Sequence, residues 1–406
     1  LRRREPSQEP DVDVVVAGHT HEVYPPDGVR DTATPETPIV QPGFWGSHLG
    51  CIDLAMSRPR KDPTQCWTIL KANSEALPLH GPAGETGRSA LKALLRTKPD
   101  LRRSIGAKHR QARRVSARQI GESDVALHTF FSTIAPCRAT QLMSDAQRFA
   151  ARELLRHRTD LRDLPLISAV SPMRTGSRAG PDQFTDIAAG PILLRHVSDL
   201  YCYPNTLSIL RLRGRDIPRW LERAASVFHR IDPADPRQQP LINHDFAGYN
   251  FDRLDGLTYQ IDVSMPAATD ARGGRIPGTP GRIRNLCHAD GTPVDPDEDL
   301  LLVTNSYRAS GGGDYAVCAD AETLVCGNDL VRDTIVAFIK ASKAPIHPMP
   351  GPTFSLRGFV RAQLIFETGA GALRHESDIA RLGLSPIGMS DEGFLRLAYE
   401  PPVAHR

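Results

Sequence analysis

Short apolar runs and alternating apolar and polar positions fill the first 75 residues, and both patterns predict β-strands. DVDVVVAG (11–18) is an apolar run that ends at a glycine, and TPIVQPG (37–43) is a short segment that proline and glycine interrupt. HLGCIDLAM (48–56) and CWTILKA (66–72) alternate like half-buried strands. We therefore predict a strand-rich first segment.

Helical periodicity appears after about residue 120. SDAQRFAARELLRH (144–157) predicts a helix capped by Ser144, with an apolar face made of Ala146, Phe149, Ala150 and Leu154. RDIPRWLERAASVFHRI (215–231) is the clearest amphipathic pattern, and Asp216 is placed to cap it. Its predicted buried face consists of Ile217, Trp220, Leu221, Ala224, Ala225 and Phe228.

Strand and helix patterns then mix to the end of the chain, which predicts a mixed α+β fold. LPLISAV (164–170), LTYQIDVSM (257–265) and DLLLVTNSY (299–307) read as strands, and DLVRDTIVAFIKAS (329–342) reads as a helix. A glycine- and proline-rich stretch, HGPAGETGRS, separates the strand patterns of the first segment from the helical periodicity that begins near residue 120. We predict a first domain over 1–75, a linker over 76–120 and a second domain over 121–400.

Composition excludes two classes of function. The chain has 406 residues with a net charge of +3, and it has no apolar run near the ~20 residues that cross a bilayer. It has no lysine-arginine stripe of the kind that binds a nucleic acid polymer, and RRSIGAKHRQARR (102–114) reads as a solvated linker or helix face. The seven cysteines are scattered without a C-x-x-C pair, which leaves open only a single bridge such as Cys318–Cys326.

The first residues, LRRREPSQEP, include no initiator methionine and no signal-peptide core. We expect a chain that starts partway through a larger protein, and a processed terminus is the alternative. The sequence does not indicate an oligomeric state.

Two histidines follow the first strand in the motif Gly18-His19-Thr20-His21. A glycine at a strand end allows a sharp turn, and neutral imidazoles in H-x-H spacing can bind one metal ion or two adjacent ions. The alternative is a chance pair of surface histidines. The flanking segments, a strand before and PIVQPGFWGSHLGCIDL after, favour His19 and His21 as metal ligands.

Two loops carry tyrosines that could stack on a planar ring. One is TNSYRASGGGDY (304–315), where Tyr307 follows a strand and Asn305, Gly311 and Gly312 are further candidates for ligand contact. The other is DLYCYPNTL (199–207), where Tyr201 and Tyr203 would share one side of a strand, one packed inward and one exposed. Tyr203 and Tyr307 are the candidate pair, and two aromatic residues of an ordinary core are the alternative.

Other polar residues carry weaker signals. Arg174 follows a predicted strand and could donate hydrogen bonds to phosphate or ribose, although a solvated loop arginine is commoner. NHDFAGYNFDRLDGLTYQIDV (243–263) contains His244 and Asp252, yet its spacing matches no ligand pattern. We interpret it as a turn-rich hairpin.

Taken together, these stretches resemble one family. VVAGHTH, PIVQPGFWGSHLGCIDL, FTDIAAGPILLRHVSDLYCYPNTLSILRLRGRDIPRWLE, YNFDRLDGLTYQIDV, RIRNL and VTNSYRASGGGDY occur in this order from about residue 11 to about residue 400. The series resembles the periplasmic 2′,3′-cyclic-nucleotide 2′-phosphodiesterase/3′-nucleotidase group of the 5′-nucleotidase superfamily.

The resemblance implies the tail of a calcineurin-like metallophosphoesterase β-sandwich, followed by a 5′-nucleotidase C-terminal α/β domain. It implies two divalent metal ions in the complete protein, with His19 and His21 as the last two ligands. It also implies that Tyr203 and Tyr307 sandwich the base of a nucleotide or nucleoside, with Arg174 near the substrate. Its location would be periplasmic or extracellular.

The family's earlier metal motifs, D-x-H, G-D and G-N-H-[DE], do not occur before the G-H-x-H turn in this sequence. We therefore expect a C-terminal fragment that binds nucleotide, is inactive alone and exposes apolar strand surface. One alternative is a non-catalytic nucleotide-binding module. Another is a structural protein with a vestigial phosphatase fold, in which both tyrosines would point into the core.

Overall fold

Strands dominate the first part of the computed structural model, which describes residues 12–33, 37–44, 46–57, 67–79, 99–270, 272–359 and 362–400. The chain forms two compact units, divided between Gln111 and Ala112. The first unit contains β1 (Val15–Val16), β2 (Val23–Tyr24), β3 (Asp31–Ala33), β4 (Ile39–Pro42), β5 (His48–Ser57) and β6 (Thr68–Pro78). Helix α1 (Pro99–Ser116) contains the position at which the two units divide. The predicted domain boundaries, 1–75, 76–120 and 121–400, stay a prediction.

Two three-stranded sheets make up the first unit, with strand orders β1-β4-β2 and β3-β6-β5. Val40, Ala72 and Ala76 are buried, whereas Leu49 and Leu70 are more than half exposed at 52% and 61%. These strands therefore present apolar side chains to solvent as well as to the core.

The second unit has sixteen strands and six α-helices among its described residues. The strands are β7 (Gln119–Ser123), β8 (Leu127–His128), β9 (Leu166–Val170), β10 (Asp186–Ile187), β11 (Gly190–Leu193), β12 (Thr206–Arg213), β13 (Gln238–Pro240), β14 (Arg253–Asp255), β15 (Leu257–Asp262), β16 (Ile283–His288), β17 (Asp299–Asn305), β18 (Glu322–Leu330), β19 (Phe354–Arg357), β20 (Gln363–Thr368), β21 (Leu384–Met389) and β22 (Leu395–Tyr399). The helices are α2 (Arg138–Leu154), α3 (Leu194–Leu200), α4 (Ile217–Ala224), α5 (Ser306–Ala309), α6 (Val331–Ala341) and α7 (Glu376–Arg381).

A five-stranded sheet, in the order β14-β9-β17-β12-β18, is the centre of the second unit. Both faces of its inner strands are buried, as expected for strands such as β17 that are apolar at nearly every position, whereas the edge strand β18 has no buried residue. Val303 and Ile209 belong to the core that contains α2, α3 and α6. Leu302 and Leu210 belong to the core that contains α4 and the C-terminal strands.

The C-terminal part of this unit adds smaller sheets. β13, β20, β22 and β21 form a four-stranded sheet, and β16, β15 and β19 form a three-stranded sheet. No helix among the described residues is long and apolar enough to cross a bilayer.

The predicted buried face is confirmed, because all six of its apolar residues are buried. Helix α4 itself ends at Ala224, so Ala225 and Phe228 follow it. The predicted cap was wrong in detail, since the Asp216 carboxylate accepts the Arg213 N–H rather than an N–H of α4.

The helix predicted to start at Ser144 begins six residues earlier, at Arg138. Ser144 is fully buried in its interior and donates a hydrogen bond to Asp255 Oδ2 at 2.5 Å, so its assignment as a cap was wrong. Phe149 and Leu154 are exposed at 42% and 45%, because the buried side of α2 is the one that faces β9.

Two further expectations were wrong. Tyr201 caps the end of α3 and does not lie in a strand, although it is buried and Tyr203 is exposed, as expected. The predicted hairpin does not form, because β14 pairs with β9 whereas β15 pairs with β16 and β19. The six described cysteines are free thiols, so Cys318 and Cys326 are not bridged.

Candidate functional site

Most of the candidate ligand-binding residues lie in loops at one edge of the five-stranded sheet. β17 runs parallel to β9 and antiparallel to β12, and β14 runs antiparallel to β9. The carboxyl ends of β9 and β17 therefore meet the amino ends of β12 and β14. Asn305 is paired with Leu207, and Val170 is paired with Arg253 at this edge.

Three tyrosines lie in these loops. Tyr203 precedes β12, Tyr307 follows β17, and Tyr249 lies in a 3₁₀ turn, Gly248–Asn250, just before β14. The rings of Tyr203 and Tyr249 are 5.8 Å apart, edge to face at 68°. Tyr203 and Tyr307 are 39% and 41% exposed, so neither is a core residue. The rings offer faces on which a planar ligand could stack.

The environment keeps the phenols of Tyr203 and Tyr307 protonated. Burial is the main cause that raises the pKa of Tyr203 to about 12, and the neighbouring Cys202, Tyr249 and Tyr307 add to it. Burial also raises the pKa of Tyr307, followed by the effect of Tyr249. Since Tyr249 raises the pKa of both Tyr203 and Tyr307, and Tyr307 raises that of Tyr203, the three side chains lie in one electrostatic neighbourhood.

A buried ion pair between Arg308 and Asp252 contacts the tyrosine loops. The Arg308 guanidinium donates to both carboxylate oxygens of Asp252, at 2.8 and 2.9 Å, and both side chains are at least 96% buried. Asp252 also accepts the indole N–H of Trp220 at 3.1 Å. Arg308 donates to the carbonyl of Tyr249 at 3.1 Å and lies 5.5 Å from the centroid of the Tyr307 ring. The pair therefore connects two of the three tyrosine loops.

The triple-glycine loop is shaped by the same guanidinium. Arg308 donates to the carbonyl of Gly312 and, at 3.3 Å, to the amide oxygen of Asn250. A Cβ at Gly312 would overlap the ring of Tyr307, so the absence of a side chain is what lets the ring lie against the loop. Gly311 has φ +84°, a conformation that favours glycine.

The remaining candidates at this edge have structural partners. The amide oxygen of Asn305 accepts the Arg308 N–H at 2.9 Å and caps α5. Arg174 donates to Asp199 at 3.0 Å, and its charge counters the rise that burial causes in the pKa of the Cys202 thiol. Arg174 is therefore close to the Tyr203 loop. Roles for Asn305 and Arg174 in ligand contact stay predictions.

The histidine turn lies in the first unit, between β1 and β2. His19 and His21 are exposed and have φ values of 74° and 62°, which side chains with a Cβ seldom adopt. The His21 ring stacks on Phe44 with centroids 4.9 Å apart. The buried Gln41 donates to Thr20 Oγ1 at 2.6 Å and so fixes the turn between the two histidines.

This turn presents the imidazoles of His19 and His21, which are two of the several ligands that a metal ion needs. Among the described residues, His128, His375 and Asp378 form the group of three whose ligand atoms lie close enough to share an ion, and neither His19 nor His21 belongs to it. The assignment of His19 and His21 as ligands stays a prediction.

The sequence interpretation missed Tyr249, Asp252 and the buried role of Arg308. Asp252 was set aside because its spacing matches no metal pattern, and that reasoning tests only local ligand sets. The available signals were an acidic residue directly after Phe251 and two positions before Leu254, and an arginine directly after Tyr307. Buried charges require partners, so the two together indicate an ion pair.

Comparison with known proteins identifies the domain. Residues 119–320 match the family model described as 5′-nucleotidase, C-terminal domain. A 2′,3′-cyclic-nucleotide 2′-phosphodiesterase/3′-nucleotidase of Yersinia enterocolitica is 33% identical over 348 residues, which cover 82% of this chain and 51% of that protein. The protein of the same name in Salmonella typhimurium is 33% identical over 355 residues, with 84% and 53% covered.

The chain thus spans about half the length of these curated relatives. A solved structure titled as a 5′-nucleotidase of Staphylococcus aureus, in complex with α-ketoglutarate, has a TM-score of 0.53 and 19% identity. That likeness covers 85% of this chain and 56% of the other. The mixed α/β fold class is confirmed, and so is the family resemblance.

Proposed function

Because this chain belongs, through residues 119–320, to the 5′-nucleotidase C-terminal domain family, we propose that its second unit binds the base of a nucleotide or nucleoside. The observation that carries the proposal is the meeting of Tyr203, Tyr249 and Tyr307 at one sheet edge, two of them more than a third exposed. Aromatic faces of this kind stack on any base.

We further propose that the complete protein hydrolyses 2′,3′-cyclic nucleotides and 3′-nucleotides in the periplasm or outside the cell. The names of the Yersinia and Salmonella relatives support this substrate class. His19 and His21 would hold divalent metal there, and such an ion activates water and neutralises charge on the phosphate. Tyr203, Tyr249 and Tyr307 would hold and orient the base.

The first test is titration calorimetry of the full chain with adenosine and with 3′-AMP. Tyr307→Ala removes a stacking face, so we expect affinity to fall by about 5- to 150-fold, the equivalent of about 1–3 kcal/mol per stacked base. Tyr307→Phe is the matched control, because it keeps the ring and should bind like wild type. Unchanged affinity in Tyr307→Ala, or no binding by folded wild type, would refute the proposal.

A second prediction concerns the shape of the loop. Gly312→Ala puts a methyl group where the Tyr307 ring now lies, so the ring must shift. The added methyl group would also lie 2.5 Å from the backbone carbonyl oxygen of Tyr307, so the loop itself must move. We expect weaker adenosine binding and a lower unfolding midpoint, measured by calorimetry and urea denaturation. Gly351→Ala is the control, because nothing lies within 4 Å of a Cβ placed there. Equal affinities for the two variants would contradict the contact between Gly312 and Tyr307.

A third prediction follows from the raised phenol pKa values. Both Tyr203 and Tyr307 lose their protons above the ordinary tyrosine value of about 10, so neither changes charge between about pH 7 and about pH 9. Adenosine affinity is expected to stay constant over this range, as measured by calorimetry. A tyrosine-dependent transition inside it would contradict the assigned environment.

The alternative function, a nucleotide-binding module without catalysis, is favoured by the same tyrosines. An assay of this chain with 2′,3′-cAMP and Mn²⁺ distinguishes this function from hydrolysis. Turnover that disappears in the His19→Ala/His21→Ala variant supports a hydrolase. Binding without turnover supports the module as the function of this chain.

A further inference from the structure

Two histidine rings lie against each other in the second unit, where β8 and β10 meet α7. His128 ends β8, and His375 directly precedes α7. Their ring centroids are 3.9 Å apart. His128 is only 7% exposed, and the side chain of His375 is 14% exposed. Two imidazoles that are so close and so buried repel each other strongly when both carry a positive charge, so this contact is sensitive to pH.

Each imidazole is hydrogen-bonded through Nε2 to one carboxylate. His128 Nε2 is 2.9 Å from Asp378 Oδ2, and His375 Nε2 is 3.0 Å from Asp186 Oδ1. An ionised carboxylate only accepts hydrogen bonds, so Nε2 is the donor in each neutral ring. A further proton therefore goes to Nδ1. The Nδ1 atom of His128 is buried and has no hydrogen-bond partner among the described residues, so a proton there would be a donor without an acceptor.

The charges around the two rings balance while both rings are neutral. Arg381 donates to Asp378 at 2.8 Å, and Arg374 donates to Asp186. Two guanidinium groups therefore offset two carboxylates, and a proton added to either ring makes this group of side chains net positive. Glu376, in the first turn of α7, is exposed, and solvent screens its charge.

The pKa directions agree with neutral rings between ionised carboxylates. Burial is the main cause that lowers the pKa of His375, and the neighbouring His128 lowers it further. Burial would raise the pKa of Asp186, but hydrogen bonds from Arg374 and His375 outweigh it and lower this pKa. The hydrogen bond from His128 is the main cause that lowers the pKa of Asp378. Both carboxylates therefore stay ionised above about pH 5, where imidazoles titrate.

Two buried threonines adjoin the stacked rings. Thr129 follows His128, and Thr185 precedes Asp186, which is opposite His128 in the pairing of β8 with β10. The Thr129 N–H donates to the carbonyl of Thr185 at 3.1 Å, and the Thr185 N–H donates to Thr129 Oγ1 at 2.9 Å. These bonds fasten the two strands to each other beside the histidine contact.

Both threonines also reach the segment that leads to Tyr203. Thr129 Oγ1 donates to the carbonyl of Arg174, and Thr185 Oγ1 donates to the carbonyl of Asp199 at 2.7 Å. The side chains of Arg174 and Asp199 form an ion pair at 3.0 Å. Asp199 lies near the end of α3, shortly before Tyr203. A shift of β8 or β10 therefore acts on both members of this ion pair and on the loop of Tyr203.

We propose that the stacked pair of His128 and His375 is an acid-sensitive contact that regulates ligand binding at the tyrosine loops, an inference that rests on the function proposed for those loops. With both rings neutral, α7 holds β8 and β10 in place. A proton on His375 makes the group net positive, weakens the contact with β8 and removes support from the loop of Tyr203. Ligand affinity is therefore highest above about pH 6.5 and falls below it.

The test is titration calorimetry of the full chain with adenosine, which is uncharged between about pH 7.5 and about pH 5.5. We expect the affinity of wild type to fall by about fivefold or more over this range, since coupled sites usually affect each other at least that strongly. His375→Gln keeps a neutral donor for Asp186 and removes the titrating ring. Its affinity should match wild type at about pH 7.5 and stay nearly constant at lower pH.

The unfolding midpoint in urea is a second measurement. Because the pKa of His375 is lowered in the folded state, its contribution to stability is present above about pH 6.5 and lost below it. Wild type should therefore lose more stability on acidification than His375→Gln. Burial also lowers the pKa of His196 and of His229, so part of the loss remains in the variant.

The matched control is His347→Gln, because His347 and Asp124 form an exposed pair 2.8 Å apart. This variant should follow wild type in both measurements. Wild-type affinity that stays constant with pH, or that falls equally in His375→Gln, would overturn the regulation.

A measurement on wild type alone covers the case in which His375→Gln does not fold. Binding that favours the neutral rings should release protons near pH 6, which calorimetry detects in buffers of different ionisation enthalpy. Binding without proton release would overturn the regulation and leave the nucleotide site intact. No adenosine binding at about pH 7.5 would instead refute the proposed function, and the regulation with it.

Discussion

Replacing Asp252 by asparagine is expected to lower the free energy of unfolding by about 3–5 kcal/mol, because it leaves the Arg308 guanidinium buried without a counter-charge. Arg308 is only 1% exposed and also donates to the carbonyls of Tyr249 and Gly312. Those bonds hold the loops of the tyrosine site, so adenosine binding should weaken in the same variant.

Urea denaturation of the full chain, followed by circular dichroism, measures this effect. Asp297→Asn is the control, because Asp297 and Arg215 form a surface pair in which both side chains are more than 60% exposed. Surface pairs contribute little, so this variant should unfold like wild type. Similar midpoints for the two variants would show that the Asp252–Arg308 pair does not support the fold.

Trp220→Ala is expected to cost about 3–5 kcal/mol of unfolding free energy through the cavity it leaves. Trp220 is fully buried, and its ring centroid lies 4.9 Å from that of Tyr315. Trp220→Phe keeps most of the volume but removes the indole N–H that donates to Asp252, so its loss should be smaller. A loss in Trp220→Ala no larger than in Trp220→Phe would contradict the packing role.

A double-mutant cycle separates packing from the hydrogen bond. Trp220→Phe removes the donor and Asp252→Ala removes the acceptor of one contact at 3.1 Å, so their combined loss should be smaller than the sum of the single losses. Additive losses would indicate that the contact contributes nothing of its own.

Local patterns predicted the elements better than their limits. The apolar spacing of α4 identified its buried face because residues three and four positions apart share one side of a helix. The same reasoning failed for Ser144, which a local rule assigns to a cap. Its hydroxyl instead meets Asp255, 111 residues away, and only packing determines that contact.

In the candidate site, too, local sequence patterns identified some residues and only the fold identified the others. Tyr203 and Tyr307 were identified because each lies near the end of a predicted segment where an exposed ring can stack on a planar ligand, and because the family resemblance implies this pair. Tyr249 was missed because its segment resembles an ordinary turn, and it reaches the others only because β14 pairs antiparallel to β9. The contact between Arg308 and Asp252 spans 56 residues, so no local pattern reveals it.

The sequence by itself determined the mixed fold class, the family resemblance, and two histidines and two tyrosines as candidates, because residue type and spacing are local properties. Tertiary structure decided which of these side chains meet. Strand order and direction brought three tyrosines to one sheet edge, and burial placed Arg308 against Asp252. Such contacts depend on long-range pairing, because a charge is stable inside a protein only where the fold supplies its partner.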